Sequence, residues 1–382
     1  MAWGWKTNLL FLTLGVYLFI CSLSGLKDGW VFAFATEGKE NLAKTYVDRI
    51  TGKPLSALCA GIIATALIQS SSGVVAVCIA TVAAGGMTVV QSIPFVMGAN
   101  IGTTITSVLI ALGYSLRRME FSRAVPVAIV NDVFKTLNVA LFFIIELHTH
   151  ILSKTSEAIS KTMGGMPFFG SLLGGFPDFI EFFTNPLVVP VESVITSLFG
   201  KTLTGGLILG IVSFSILLSS LELMSKAAQN FVRGRASEVV DRAFKTPVRG
   251  VIMGSSITWF LQSSSVATAL AVPFAASGVI TFKRVYPYIL GCNIGTTIDP
   301  GQIISYIKFG VVGLSVGLVH VLLNVVGVVF WLTFPVLRDV PPKIALKISG
   351  LITSSRRGGL SLIVFTSLFF FIIPAIVIYF GW

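Results

Sequence analysis

The chain has 382 residues, of which 54% are hydrophobic and only 11% charged, and its mean hydropathy is +0.90. A soluble domain of this size carries far more charge, so these figures exclude a water-soluble globular protein and point to one embedded in lipid. The net charge of +11 is no sign of nucleic-acid binding, because the basic residues are scattered through short loops, where they set orientation in a membrane protein.

Residues 8–26, "NLLFLTLGVYLFICSLSGL", are long and apolar enough to cross a hydrocarbon core of ~30 Å. No small-residue cleavage site follows, so this is a retained first helix and not a signal peptide. Residues 54–68 come next and number only 15. At 1.5 Å per residue they reach roughly 22 Å, too short to cross. Then comes "IQSSSG" at 68–73, and a second short apolar piece, 73–86, which ends in "AAGG". Two half-length helices joined at a polar tip predict a re-entrant hairpin over 54–86. Backbone at such a tip is tolerated within a membrane only where it lines protein or a water-filled cavity. A helix near 87–112 and another at 124–147 complete the first half, and apolar runs at 203–224, 310–334 and 361–381 follow in the second.

A shift of 193 residues lays the chain over itself. It puts Pro54 on Pro247, Gly61 on Gly254, Thr65 on Thr258 and Gln69–Ser72 on Gln262–Ser265. It also puts Gly98 on Gly291 and "NIGTTI" at 100–105 on "NIGTTI" at 293–298. Between 54 and 105 there are 19 identities in 52 positions without a gap, which marks a duplicated unit. With both hairpins re-entrant, each copy contributes three crossings, an odd number, so the copies are inverted. The expected fold is all-α and polytopic, with about seven spanning helices plus two hairpins. Residues 1–147 form the first repeat, 148–202 an external connector and 203–334 the second repeat with its hairpin at 247–279. Residues 335–382 form a cytoplasmic loop and a last spanning helix. The face that carries the N-terminus then holds 17 of the 27 Lys and Arg residues, which makes it cytoplasmic and puts the C-terminus outside.

Inverted repeats with broken helices are the pattern of secondary transporters, whose sites lie at the repeat interface. Helix starts at the tips present free N–H groups suited to an anion. Ser70, Ser71, Ser72, Ser263, Ser264 and Ser265 add hydroxyl donors, while Gln69 and Gln262 can meet either charge sign. In "GANIGTTIT" (98–106) and "GCNIGTTID" (291–299), Asn100, Thr103, Thr104, Asn293, Thr296 and Thr297 are hard oxygen ligands for a small cation such as Na⁺. Asp299 adds a formal charge. One anion site beside cation sites, all built mostly from neutral groups, reads as cation-coupled anion symport. Asp132 and Lys135, one turn apart, are expected to form a supporting ion pair. His320 and Asn324, also one turn apart, are expected to make a helix–helix hydrogen bond. Cys21, Cys59, Cys78 and Cys292 all lie in apolar segments without a CxxC pair, so neither disulfide nor zinc is expected.

These motifs resemble the type II sodium-dependent phosphate cotransporters. The likeness is carried by "LQSSSVATALAVPFAASGVITFKRVYPYILGCNIGTT" (261–297), by its first-repeat counterpart and by the C-terminal "FFFIIPAIVIYFGW". The resemblance implies Na⁺-coupled uptake of inorganic phosphate across a bacterial inner membrane, with no cofactor beyond Na⁺. It places Gln69, Ser70, Ser71, Gln262, Ser263 and Ser264 at phosphate or the adjacent Na⁺, and Asn293, Thr296 and Thr297 at Na⁺. It also implies dimers with one complete site per protomer, in contact with lipid. Asp132, His320 and Asn324 match family positions, whereas Asn131 and Lys135 replace a histidine and an asparagine. Asp299 and Pro300 stand inside what is a threonine run in animal members. The connector lacks their cysteine pair, and the chain stops at Trp382 without their final cytoplasmic segment. Symport of another oxyanion or a small carboxylate is the alternative within transport. A membrane serine hydrolase would need a general base that neither repeat places beside its serines, and opposed hairpins would plug a pore.

Overall fold

In a computed structural model the described residues are 4–34, 47–83, 87–164, 176–202, 204–206, 208–213, 215–216, 219, 223, 246–261, 263–278, 280–299, 302–303, 306, 310–355 and 357–381. Among them the structure is helical, with no strand. The helices are α1 (Trp5–Phe34), α2 (Pro54–Ile68), α3 (Ser71–Ala83), α4 (Val89–Gly102), α5 (Ile105–Leu112), α6 (Arg118–Thr149), α7 (Ile151–Gly164) and α8 (Phe176–Phe199). They continue with α9 (Pro247–Leu261), α10 (Ser264–Ala276), α11 (Phe282–Thr297), α12 (Gly310–Thr333), α13 (Val340–Ser354) and α14 (Gly358–Phe380). The last of these contains a π-helical turn at Leu368–Ile372. Four stretches among the described residues are long and apolar enough to cross a membrane: Val89–Leu112, Arg118–Thr149, Gly310–Thr333 and Gly358–Phe380.

The chain divides into two compact units. Met1–Asp48 and Pro167–Ala236 form one, and Arg49–Met166 and Ser237–Trp382 form the other. In the smaller unit Phe32 of α1 packs with Ile195 of α8 and Leu209. The described part of the apolar run that begins at 203 falls in the same unit as α1. Most of the run 203–224, and nearly all of the basic stretch 226–249, lie outside the described residues.

The larger unit keeps the rest of the duplication in register. Helices α2 and α9 have 15 residues each, and α3 and α10 have 13 each. All four bounds are offset by the same 193 positions. Both pairs break where the sequence places Gln and Ser in an apolar run, and neither half is long enough to cross alone. Pro54 and Pro247 open their helices at the first position, where a missing N–H costs nothing.

Each broken helix lies against the next one at backbone distance. A Cβ on Gly98 would collide with the Leu58 carbonyl, and one on Gly61 with the Phe95 carbonyl. The second copy repeats both contacts, Gly291 against Val251 and Gly254 against Tyr288. Small residues at such crossings replace the hydrophobic drive that lipid removes, because they allow dense packing. The apolar core draws on both repeats, with Leu58, Met97, Ile101 and Ile105 from the first and Val319 and Leu323 from the second.

Two regions carry helices that the long apolar runs do not mark. The connector 148–202 carries two helices, α7 and α8. Helix α7 starts on the Glu146 carboxylate, which accepts the N–H groups of Leu152 at 2.7 Å and Ser153 at 3.2 Å, satisfying donors that a helix start leaves free. Residues 340–354, expected as part of a loop, form α13, which buries Ala345, Ser349 and Ile352 and turns Lys343 and Lys347 outward. The apolar residues recur every three to four positions there, a helical period that the neighbouring charges obscure.

Gly98→Ala is expected to destabilise the protein by about 3 kcal/mol or more, since backbone and not a flexible side chain must give way. Gly350→Ala meets no atom within 4 Å and is expected to be neutral, or to stabilise α13 by up to about 1 kcal/mol. Thermal unfolding of the two variants in detergent compares them directly.

Candidate functional site

The tip of the first broken helix is built by its own side chains. Helix α2 ends on Gln69, which has φ 57° and ψ 22° and whose N–H returns to the Thr65 carbonyl. A left-handed residue other than glycine is uncommon and ends the helix sharply. Ser70 then caps α3, its Oγ accepting the Gly73 N–H at 3.1 Å. The first intrahelical bond runs from Val74 N to Ser70 O at 3.1 Å, so the N–H groups of Ser71 and Ser72 have no helix partner. In the second tip the corresponding bond runs from Ala267 N to Ser263 O at 3.1 Å, which leaves the N–H groups of Ser264 and Ser265 in the same position.

The two tips meet. Ser265 Oγ donates to the Gln69 carbonyl at 3.2 Å. A small cavity between them is lined by Ser70, Ser71, Ser72, Ser263, Ser264, Ser265, Thr103 and Thr296. Its volume is about 10 Å³, roughly one water molecule's room. Four segments, 70–72, 103, 263–265 and 296, thus converge on one point.

The lining has a division of chemical labour. Thr103 Oγ1 donates to Ala99 O and Thr296 Oγ1 to Cys292 O, each at 3.0 Å. A hydroxyl whose proton is committed to a carbonyl offers only lone pairs outward, as a cation requires. The hydroxyls of Ser71, Ser72 and Ser264 make no hydrogen bond among the described residues, so they can donate, together with the free helix N–H groups. Donors for an anion and acceptors for a cation therefore face the same cavity.

The other predicted residues among those described do not line the cavity. Asn100 donates to Asn324 Oδ1 at 3.1 Å, and Asn293 donates to Asn131 Oδ1 at 2.9 Å. The 193-residue shift converts one pair into the other, since 100 becomes 293 and 131 becomes 324. Each "NIGTT" asparagine is therefore held by the other repeat. All four asparagines are at most 2% exposed. Asn324 Nδ2 also donates to the His320 carbonyl at 2.9 Å. Thr104 and Thr297 return their hydroxyl protons to Ile101 O at 2.9 Å and Ile294 O at 2.8 Å. Gln69 Oε1 accepts from Thr106 at 3.4 Å. Asp299 is buried, and its Oδ1 accepts the Gln302 N–H at 2.9 Å. Gln262 lies outside the described residues.

The expected ion pair between Asp132 and Lys135 does not form. Both are buried, but no salt bridge within 4.0 Å joins them among the described residues, and neither Asp132 oxygen has a hydrogen-bond partner. Thr104, which lies beside the carboxylate, sends its proton to Ile101. One-turn spacing puts two residues on the same face, but in a packed interior the neighbours decide where each side chain ends.

Several contacts were not foreseen from the motifs. Ser107 donates to Thr268 at 3.2 Å across the repeats. Trp331 Nε1 donates to Asn138 Oδ1 at 3.2 Å, between two positions that are themselves 193 residues apart. Gln302 and Tyr306 form a buried pair, with the Tyr306 hydroxyl on Gln302 Oε1 at 2.8 Å. The signal for Gln302 was its polarity just after "NIGTTIDPG", a stretch that otherwise reads as a turn.

The fold is that of an all-helical protein assembled from a duplicated unit, with four stretches among the described residues long and apolar enough to cross a membrane. Residues 18–176 and 216–352 match the Na⁺/Pi-cotransporter family, and the chain belongs to it. This is a family of transporters and not of enzymes. The chain is 28% identical over 402 residues to "Sodium-dependent phosphate transport protein 2A" of Ovis aries, covering 85% of this chain and 60% of that protein. It is 27% identical over 460 residues to "Sodium-dependent phosphate transport protein 2B" of Homo sapiens, covering 96% and 64%. The chain thus spans less than two thirds of the length of these relatives. No solved structure matches.

Truncating one member of an asparagine pair leaves the other buried and unpaired, so Asn293→Ala and Asn131→Ala are each expected to cost about 1–3 kcal/mol. The double variant is expected to cost less than their sum. Thermal unfolding of the four proteins completes the cycle, and strict additivity would remove the pairing from the account.

Proposed function

We propose that this chain is a symporter that couples inward Na⁺ movement to uptake of inorganic phosphate by alternating access. The observation that carries this reading is the meeting of two helix starts, one from each repeat, around a single cavity of serine donors with Thr103 and Thr296 behind them. Facing helix N-termini suit a multiply charged anion better than any one side chain in reach. The names of the relatives favour phosphate over other oxyanions.

In this reading the repeats are inverted in the membrane and 54–86 and 247–279 are re-entrant hairpins. Helices of 15 and 13 residues, too short to cross singly, support that assignment, as does the exchange of the two asparagine pairs. The N-terminus is cytoplasmic, and the membrane is the bacterial inner membrane. Phosphate lies against Gln69, Ser70, Ser71, Ser72, Gln262, Ser263, Ser264 and Ser265. Sodium is held from among Gln69, Asn100, Thr103, Thr104, Gln262, Ser263, Asn293, Thr296, Thr297 and Asp299, with Asp132, Lys135, His320 and Asn324 in support. Dimers carry one such site per protomer.

Sodium bound on the threonine side offsets the charge that phosphate brings to a dry site, which makes the binding of each dependent on the other. A cavity of about 10 Å³ is too small for a tetrahedral oxyanion. The tips therefore have to part, and the bond from Ser265 to the Gln69 carbonyl has to open, for phosphate to enter. Movement of the hairpin pair between the two faces then exposes the same site to each side in turn.

Proteoliposomes loaded without phosphate test this directly. Uptake of labelled phosphate is expected with external Na⁺ and not with K⁺ or choline, and uptake indifferent to the cation would overturn the reading. Ser71→Ala and Ser264→Ala are each expected to lower uptake at least about tenfold at normal yield of inserted protein. Full activity in both would take the tips out of the site.

A further inference from the structure

We propose that Gln302 is a positioning residue that ties the segment after the second "NIGTT" to the tip of the first repeat, so that cation binding in one is felt by the anion cradle of the other. The inference rests on the reading above, that the tips hold an anion and the "NIGTT" segments a cation.

Gln302 is 1% exposed, and all three of its facing polar groups are engaged. Its backbone N–H donates to Asp299 Oδ1 at 2.9 Å. Its side-chain amide Nε2 donates to the Ser72 carbonyl at 3.0 Å. Its Oε1 accepts the Tyr306 hydroxyl at 2.8 Å. A carbonyl has no proton to give, so only the nitrogen of the amide can face Ser72, and the oxygen is thereby turned to Tyr306. The Tyr306 hydroxyl in turn lies 3.3 Å from Thr297 O and 3.4 Å from His320 Nδ1.

The consequence is a short chain of contacts between chemically different places. At one end stand Asp299 and Thr297, which belong to the cation-type segment. At the other stands Ser72, in the first turn of α3, whose neighbouring N–H groups and hydroxyls line the cavity. Gln302 has no counterpart in the first repeat, because the 193-residue shift puts it on Leu109, which is 45% exposed. The link therefore has no symmetry mate, and joins only the second repeat's cation segment to the first repeat's tip. A buried amide bonded through both its nitrogen and its oxygen resists displacement of its partners, since a shift leaves a buried donor or acceptor unpaired. Displacement of the Asp299–Thr297 backbone by a bound cation would thus carry the Ser72 carbonyl, and the helix start it belongs to, along with it.

The test is the reciprocity of the two ligands in proteoliposomes. In the wild-type protein the Na⁺ concentration for half-maximal uptake is expected to fall as phosphate is raised. Gln302→Leu keeps a similar volume but cannot donate to Ser72, and is expected to reduce that mutual shift about tenfold. Tyr306→Phe, which frees Oε1 while keeping the ring, is expected to reduce it by a smaller factor and guards against a misfolded leucine variant. A wild-type mutual shift in both variants would overturn the proposal. So would a lower maximal rate with the shift unchanged, which is what a merely structural role predicts. A wild-type protein without Na⁺-dependent uptake would overturn the underlying reading, and this inference with it.

Discussion

The structure turns on backbone groups that have no helical partner at the two helix breaks. A helix interrupted inside an apolar layer exposes N–H and C=O groups at the break, each costing several kcal/mol if left bare in hydrocarbon. Two such breaks occur, at Gln69–Ser70 and at the equivalent second-repeat tip. Side chains answer part of the demand, as when Ser70 caps the start of α3. Where the tips meet, Ser265 adds a donor to the Gln69 carbonyl, while the N–H groups of Ser71, Ser72, Ser264 and Ser265 stay without a helix partner. The same unspent N–H groups that make the breaks costly are what make them useful to an anion.

Such breaks persist only in a rigid surround, and glycine provides it. Helices α2 and α9 lie against α4 and α11 with backbone on backbone, at Gly61 and Gly98 and again at Gly254 and Gly291. In lipid, where apolar burial drives little association, close packing of this kind is the main source of helix–helix affinity. The asparagine pairs add direction to that packing. Asn100 with Asn324 and Asn293 with Asn131 can form only when the two repeats meet in one register, so the polar layer selects the arrangement that the glycines permit.

Near-symmetry leaves the exceptions easy to see. Asp132 and Lys135 fall on Val325 and Val328 under the shift, and Gln302 and Tyr306 fall on Leu109 and Gly113. One repeat therefore carries Asp132 and Lys135, and the other Asp299 with the amide–phenol network. A duplicated scaffold with unlike polar inserts is able to bind two ligands of opposite sign at one interface, which a strictly symmetric one is poorly equipped to do.

Periodicity, length and repetition were enough to place the two breaks and the long apolar helices, but not α13. They were legible because lipid imposes uniform apolar runs, against which "QSSS" and "NIGTT" stand out. The serines and threonines of the cavity were legible for the same reason. The sequence determined that there are two copies, where each breaks and which residue types line the cavity between the tips. Only the tertiary structure decided that Asn131 faces Asn293, that Asp132 and Lys135 do not pair, and that Gln302 reaches Ser72 across 230 positions of chain. Side-chain partners at that separation depend on how two repeats dock, and no local pattern encodes docking.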